Sequence, residues 1–331
     1  LWFMTDPRFY EWLWFMENEI RPNIPMIYYH VWDNFPAPVF NRPFYLSNDL
    51  IASISKVTHS IVAEAAPEVE NVYLPHAVDS KIYSPKSKDE IAELRKGNFP
   101  DDKKDRVLFF WNNRNARRKQ SGTLLFWFNE FANQVGRDNV RLIMHTDPND
   151  NHGQPLQHII ETLGNDGALM ISNAKVAPSL LSDMYNMAAC TINISDAEGF
   201  GLATLESLSC GTPIIVTMTG GLQEQVTDGE EWFGIGIEPS SKTIVGSQQV
   251  PYIYEDRISK EDFIAALHKI YNMSQDERDE LGKKGRQHVE KNYSFEQYCD
   301  TWVKTITDVY EKHGSWEDRK GYKSWELLEI V

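Results

Sequence analysis

Thr191-Ile-Asn-Ile194-Ser195-Asp-Ala-Glu198-Gly-Phe-Gly201-Leu-Ala-Thr-Leu-Glu206-Ser-Leu-Ser-Cys-Gly211-Thr-Pro213-Ile-Ile-Val-Thr217 is the stretch on which the fold turns. Thr191 to Ile194 is a short β-rich run, and Leu202 to Cys210 has the length and composition of a helix. Pro213 to Thr217 is apolar enough for a strand covered on both faces. Two strands joined through a helix run parallel, because the crossover returns the chain in its first direction. The same grammar extends upstream. Val107–Trp111, Val140–His145 and Leu169–Ser172 read as strands, and Thr123–Val135, Pro155–Leu163 and Ser179–Ala189 as helices between them. This alternation predicts an α/β fold with a doubly wound parallel sheet.

The quoted stretch also carries chemistry. Gly199 and Gly201 let the backbone approach a ligand without a Cβ in the way, and the helix opening at Leu202 turns its amides and dipole to the same place. That suits a diphosphate. Glu198 lies on the loop and Glu206 about one turn into the helix. Carboxylates there do nothing for a phosphate, but each can accept hydrogen bonds from vicinal hydroxyls such as those of a ribose or a hexose. Either glutamate alone reads as a helix-start carboxylate favoured by the dipole; the pair inside this glycine loop reads as a site. A basic cluster, Arg114-Asn-Ala-Arg117-Arg118-Lys119, directly follows the Val107–Trp111 strand, where ligands of open α/β sheets sit.

Glu198-Gly-Phe-Gly-Leu…Glu206…Gly211-Thr-Pro resembles the signature of glycosyltransferase family 4, the retaining GT-B enzymes related to glycogen synthase. The resemblance implies two Rossmann-like domains facing across a cleft. It assigns the donor-sugar hydroxyls to Glu198, the phosphates to the Gly199-Phe200-Gly201-Leu202 loop and the ribose to Glu206. Trp111 to Lys119 resembles the strand-end Arg…Lys pair that neutralises the donor diphosphate, here Arg114 and Lys119 with Arg118 beside them. Thr219-Gly220-Gly221-Leu-Gln-Glu224-Gln-Val226 matches the family's second glycine turn near the donor sugar. Leu74 to Pro85 resembles the "G-V-D…F-x-P" join between domains, with Ala77 in place of the glycine; His76 and Asp79 are read as structural there. His30 or Asp33 ends the strand that in many relatives carries a histidine facing the donor sugar; His30 is taken as that residue, and His145 is a second strand-end candidate. The base is expected near Ser172 to Val176. Asp147 and Asp150, in an Asn/Asp/Pro loop, read as turn formers rather than metal ligands. The resemblance implies no cofactor and no metal: a nucleoside-diphosphate sugar is the substrate, and the acceptor is a glycan, lipid or protein. Rival readings are a GT-B nucleotide-sugar epimerase, a non-catalytic nucleotide-sugar-binding module, and transfer to modified DNA bases.

The frame around these motifs is less regular. The 331 residues are 41% hydrophobic and 24% charged, the balance of a globular protein. Residues 1–85 are rich in aromatics and proline, with a loop at Asp33–Pro38 and a segment, Asn48 to Val62, that fits helix and strand spacing alike. Ser87 to Lys96 looks helical, and Gly97 to Asp105 is expected to be a linker. The expected domains are 1–100 on the acceptor side, 101–293 binding the nucleotide sugar, and 294–331 crossing back. Tyr298, Trp302, Ile306 and Tyr310 share one face of the last helix, which should pack on residues 1–50 together with Trp316 and Trp325. Leu1–Pro7 resembles a late strand of the family's first domain, so the first sheet is expected to be partial, with an open edge. The aromatic run Phe9, Tyr10, Trp12, Trp14, Phe15 points to a helix packed on further strands, or to peripheral membrane contact. No apolar run approaches the roughly 18 residues of a membrane span. Cys190, Cys210 and Cys299 lack metal spacing and fit a reducing cytoplasm. A net charge of −15 weighs against nucleic acid as a partner.

Overall fold

A computed structural model describes residues 1–100, 102, 105–164 and 166–324. The chain forms two compact units, Leu1–His76 with Ile244–Tyr254 and Glu296–Val331, and Ala77–Thr243 with Glu255–Phe295.

The larger unit holds a six-stranded parallel sheet. Its strands are β5 (Val107–Asn112), β6 (Val140–His145), β7 (Leu169–Ser172), β8 (Cys190–Asn193), β9 (Ile214–Thr217) and β10 (Gly234–Ile237), in the spatial order β10-β9-β8-β5-β6-β7. The chain therefore builds outward from β5 to β7, then returns to β5's other side with β8 and builds the opposite way. Strand order reverses between β5 and β8, and loops leaving adjacent strands at such a point diverge to leave a ligand crevice. Val, Ile, Leu and Phe fill the strands because helices cover both faces. Phe109, Leu142, Ile192 and Ile215 pack against Leu124, Phe128 and Phe131 of the helix Ser121–Val135 and Phe263, Leu267 and Ile270 of Lys260–Asn272.

The smaller unit has a four-stranded parallel sheet, ordered β1 (Trp2–Thr5), β2 (Ile27–His30), β3 (Leu50–Ser53), β4 (Asn71–Tyr73). The ambiguous Asn48–Val62 resolves into β3 followed by the helix Lys56–Ala65, which Ser55 caps by accepting the Thr58 amide. Among the described residues β1 pairs only with β2, and Trp2 and Met4 are exposed on it. The aromatic run splits by side: Tyr10 and Trp14 pack on Phe3 and Tyr28, whereas Phe9, Trp12 and Phe15 face outward. Two short helices, Glu11–Phe15 and Glu17–Ile20, stand where one was expected.

The last helix, Phe295–His313, packs within this unit as its apolar stripe required. Trp302 meets Trp2 at 5.6 Å and Tyr29 at 5.0 Å between ring centroids. The strap continues: the Trp316 amide donates to Asn23 O, Arg319 donates to Asp49 at 2.9 Å, and Tyr322 Oη donates to Asn18 at 2.7 Å. Trp325 lies outside the described residues. The buried stripe is Trp302 and Val309; Ile306 and Tyr310, expected inside, are about half exposed.

Two expectations about boundaries change. The larger unit begins at Ala77 rather than near residue 100. The helix Lys88–Asn98, with its Ser87–Glu90 capping box, is held there by Lys86 N–H donating to Asn186 and by Arg95 donating to Met187 O. Residues 244–254 belong to the smaller unit, where Tyr254 N–H donates to Phe35 O at 2.7 Å and Tyr252 packs on Phe40. The chain reaches and leaves them along two paired strands, β11 (Ser241–Val245) and β12 (Ile253–Arg257).

Candidate functional site

The loops leaving β5 and β8 carry the motifs of the sequence, and the larger unit folds them together. Asn193, fully buried at the end of β8, is oriented by the loop that follows: Ser195 N–H and Oγ both donate to its Oδ1. Its Nδ2 is thereby turned to Glu198, 3.4 Å from Oε2. The glycine turn then enters the helix Leu202–Ser209 through Gly201 at φ +95°, a left-handed conformation that a side chain would strain. Its carbonyls are taken inward. Phe200 O accepts Gln225 Nε2 at 2.8 Å, and Gly201 O lies 2.8 Å from Thr204 Oγ1. The helix's first turn leaves the Leu202 and Ala203 amides without intrahelical acceptors, with the positive end of the dipole behind them.

The second glycine turn braces the first. Gly221 N–H donates to Glu198 O at 3.0 Å, and a Cβ on Gly221 would stand 2.6 Å from Phe200 Cα and 2.7 Å from Gly199 O. Only glycine permits that approach. Gly220, at φ +47°, makes the preceding bend.

The basic cluster divides. Lys119 forms an ion pair with Glu198, and both are more than nine-tenths buried. Arg118 lies 3.8 Å from Glu198 Oε1 and donates to Ala197 O, while its own carbonyl accepts Asp196 N–H at 2.8 Å. Arg117 turns instead to Glu255, Nη1 to Oε2 2.8 Å. Arg114, expected to work with Lys119, is exposed and donates to Asp150 at 2.6 Å and lies 2.7 Å from His152 Nδ1. That guanidinium and turn hydrogen bonds hold the Asp150 carboxyl well below the usual range. Asp147 accepts the Asn149 amide, as a turn former does.

Glu206 sits among phenols. Tyr185 Oη donates to its Oε2 at 2.7 Å, Asn112 Nδ2 donates to that hydroxyl at 2.8 Å, and Tyr83 interacts with the same carboxylate. Burial raises the carboxyl above its ordinary value, and the two phenols oppose that shift. His145 Nδ1 is 2.9 Å from Ser172 Oγ, and burial lowers its pKa. Next to the loop, buried Asp196 is pushed up to about 6 by burial, although it accepts Gln120 Nε2 at 2.6 Å and lies 3.3 Å from Arg257.

His30 belongs to the smaller unit's core. It is fully buried, with Nδ1 2.9 Å from Tyr28 Oη and Nε2 2.8 Å from Tyr45 Oη, and burial lowers its pKa to about 3. Both nitrogens of this expected site residue are engaged within the core. Sequence reasoning also passed over Asn193, Gln225, Tyr185, Gln120 and Glu255. Asn193 and Gln225 lie within quoted stretches but were given no role there; each of the five acts through a contact made only by folding.

Comparison with known proteins agrees with this geometry. The family model "Glycosyl transferases group 1" matches residues 92–288. The chain is 34% identical over 116 residues to the D-inositol 3-phosphate glycosyltransferase of Paenarthrobacter aurescens, covering 34% of this chain and 27% of that protein. It is 22% identical over 235 residues to the N-acetyl-alpha-D-glucosaminyl L-malate synthase of Bacillus anthracis, 68% of this chain and 56% of that protein. The first curated relatives are thus matched over about a quarter of their length. Among solved structures, sucrose-phosphate synthase from Thermosynechococcus elongatus superposes with a TM-score of 0.69 at 16% identity, over 88% of this chain and 69% of that one. Anabaena HepE in complex with UDP and glucose gives 0.66 at 13% identity, over 86% and 71%. The fold is that of the two-unit, Rossmann-like GT-B proteins. Among the described residues no helix is long and apolar enough to cross a membrane.

Proposed function

We propose, from the premise that this chain belongs to the family of group 1 glycosyl transferases, that it moves a hexosyl unit from a nucleoside-diphosphate sugar to a hydroxyl acceptor with retention at the anomeric carbon. The observation that carries the reading is the meeting, at the sheet's switch point, of Glu198, Lys119 and Arg118 with the glycine loop and a helix N-terminus. Cations and preorganised amides in a buried place stabilise charge far better than they would in water.

In this reading the Leu202 and Ala203 amides, Arg118 and Lys119 receive the diphosphate. Glu198, held by Lys119 and Asn193, accepts hydroxyls of the donor sugar, and Glu206 accepts the ribose diol. The anomeric carbon–phosphate oxygen bond breaks as the acceptor oxygen bonds to that carbon from the leaving-group side. The acceptor proton passes to the departing phosphate oxygen, and the nucleoside diphosphate leaves. Retention follows the two-glutamate resemblance to family 4. Lys119 and Arg118 supply the charge that a metal would otherwise bring, so turnover should persist in EDTA. His30, with both nitrogens taken, serves the core. HepE was solved with UDP and glucose, which supports a nucleotide sugar as donor here.

The test is a thermal-shift panel of UDP-, GDP- and ADP-sugars, followed by assay of nucleoside diphosphate release and by NMR of the product anomer. A native-state ligand raises the melting temperature by mass action. A panel in which no nucleotide sugar shifts the melt would refute the donor reading; an inverted product would refute retention alone.

A further inference from the structure

Glu198 is held by cations, whereas Glu206 is held by phenols, and the difference has a function. Tyr185 is fully buried on the helix Pro178–Met187. Its hydroxyl accepts from Asn112 Nδ2 at 2.8 Å and gives its single proton to Glu206 Oε2 at 2.7 Å, so the direction of the chain is fixed. Tyr83, on the loop before Pro85, interacts with the same carboxylate. Its backbone is pinned there, the carbonyl accepting Ser209 Oγ and Arg286 Nη1, both at 2.7 Å, and its ring packs edge-on against Tyr185 at 6.1 Å. In the segment that resembles the family's F-x-P join, Tyr83 occupies the phenylalanine position.

A free glutamate on a helix samples several rotamers, and ordering them on binding costs affinity. Neutral phenols fix the carboxylate, leave its charge in place, and occupy part of its four lone-pair positions. We propose that Tyr83 and Tyr185 are positioning residues that clamp the Glu206 carboxylate for bidentate acceptance from a ribose diol, so that the site selects ribonucleotides. The proposal rests on the assignment of Glu206 to the ribose.

The experiment measures dissociation constants by calorimetry for UDP, GDP and ADP and their 2′,3′-dideoxy forms. The proteins are the unaltered chain, Tyr83→Phe, Tyr185→Phe and Glu206→Gln. The unaltered protein should prefer the ribo form. Each tyrosine variant should shrink that preference by roughly 3- to 10-fold, the worth of one hydrogen bond, with affinity for the dideoxy form unchanged. Equal weakening of both forms would mean a merely structural role and overturn the clamp. Loss of preference in Glu206→Gln with both tyrosine variants intact would overturn the clamp while sparing the ribose assignment. Preference retained in Glu206→Gln would overturn the assignment and the clamp together, as would absence of binding by all three diphosphates. If Tyr185→Phe fails to fold, Tyr83→Phe carries the same comparison.

Discussion

Replacing Lys119 by methionine separates what its ion pair does for the fold from what it does for chemistry. The ammonium and the Glu198 carboxylate are both buried, so removing one leaves the other as a charge stripped of water. Breaking a buried pair from one side costs about 3–5 kcal/mol. Asn193 still donates to Glu198, so the lower end, about 3 kcal/mol, applies. For a unit of this size that is a fall of roughly 6–12 °C in melting temperature. On the proposed function turnover should fall by about 10²-fold or more, because the departing diphosphate would lose a preorganised cation. The decisive comparison is the double variant Lys119→Met with Glu198→Gln. A neutral amide in place of the carboxylate removes the stranded charge, so most of the stability should return while turnover stays low. The assays are thermal denaturation followed by circular dichroism and release of nucleoside diphosphate from the donor. Recovery of turnover together with stability would show that the pair is only structural. An unchanged melt in the single variant would show that the charge was never buried.

Gly221→Ala would place a Cβ against Phe200 Cα and Gly199 O, backbone atoms that cannot swing aside, at a cost of about 1–3 kcal/mol. Gly97, where a Cβ meets nothing within 4 Å, is the control: Gly97→Ala should melt no lower than the parent, and equal losses at both sites would refute the brace. Asp196 has a folded-state pKa of about 6, above its unfolded value, so its contribution to stability is complete below pH of about 4 and is lost as pH rises through 6. Asp196→Asn should remove roughly 3 kcal/mol of that decline. Urea titrations at intervals from pH 4 to 7 test this, and a parent–variant difference that does not change with pH would count against it.

The larger unit was legible because its code is local. A buried parallel strand such as Ile214–Thr217 announces itself by an unbroken apolar run, and Gly201 and Gly221 mark places where backbone must approach backbone. The smaller unit was harder. Its strands are short, and Asn48–Val62 satisfied two periodicities until Ser55 capped a helix. Glu198, Lys119 and the glycine loop could be named from spacing, because a motif records which residues gather. It does not record which neighbour holds them: Arg114 went to Asp150 and Arg117 to Glu255 through partners up to 138 positions away. His30 shows the same limit. Its strand-end position was visible, but the two tyrosine hydroxyls that occupy its nitrogens come from residues 28 and 45, and burial alone neutralises the ring.

The placement of β8 beside β5 also sets when the site comes into being. Lys119 and Glu198 are 79 positions apart, and every residue between them must be synthesised before they meet. Contacts of such long range pay their loop entropy before they return any stability, so they form late. A nascent chain that ends before β8 would hold β5, β6 and β7 with β5's inner edge uncovered, an aggregation-prone template rather than a smaller working domain. Ribosome-bound chains of increasing length should therefore form the Lys119–Glu198 pair in one step, after the helix Leu202–Ser209 has left the exit tunnel.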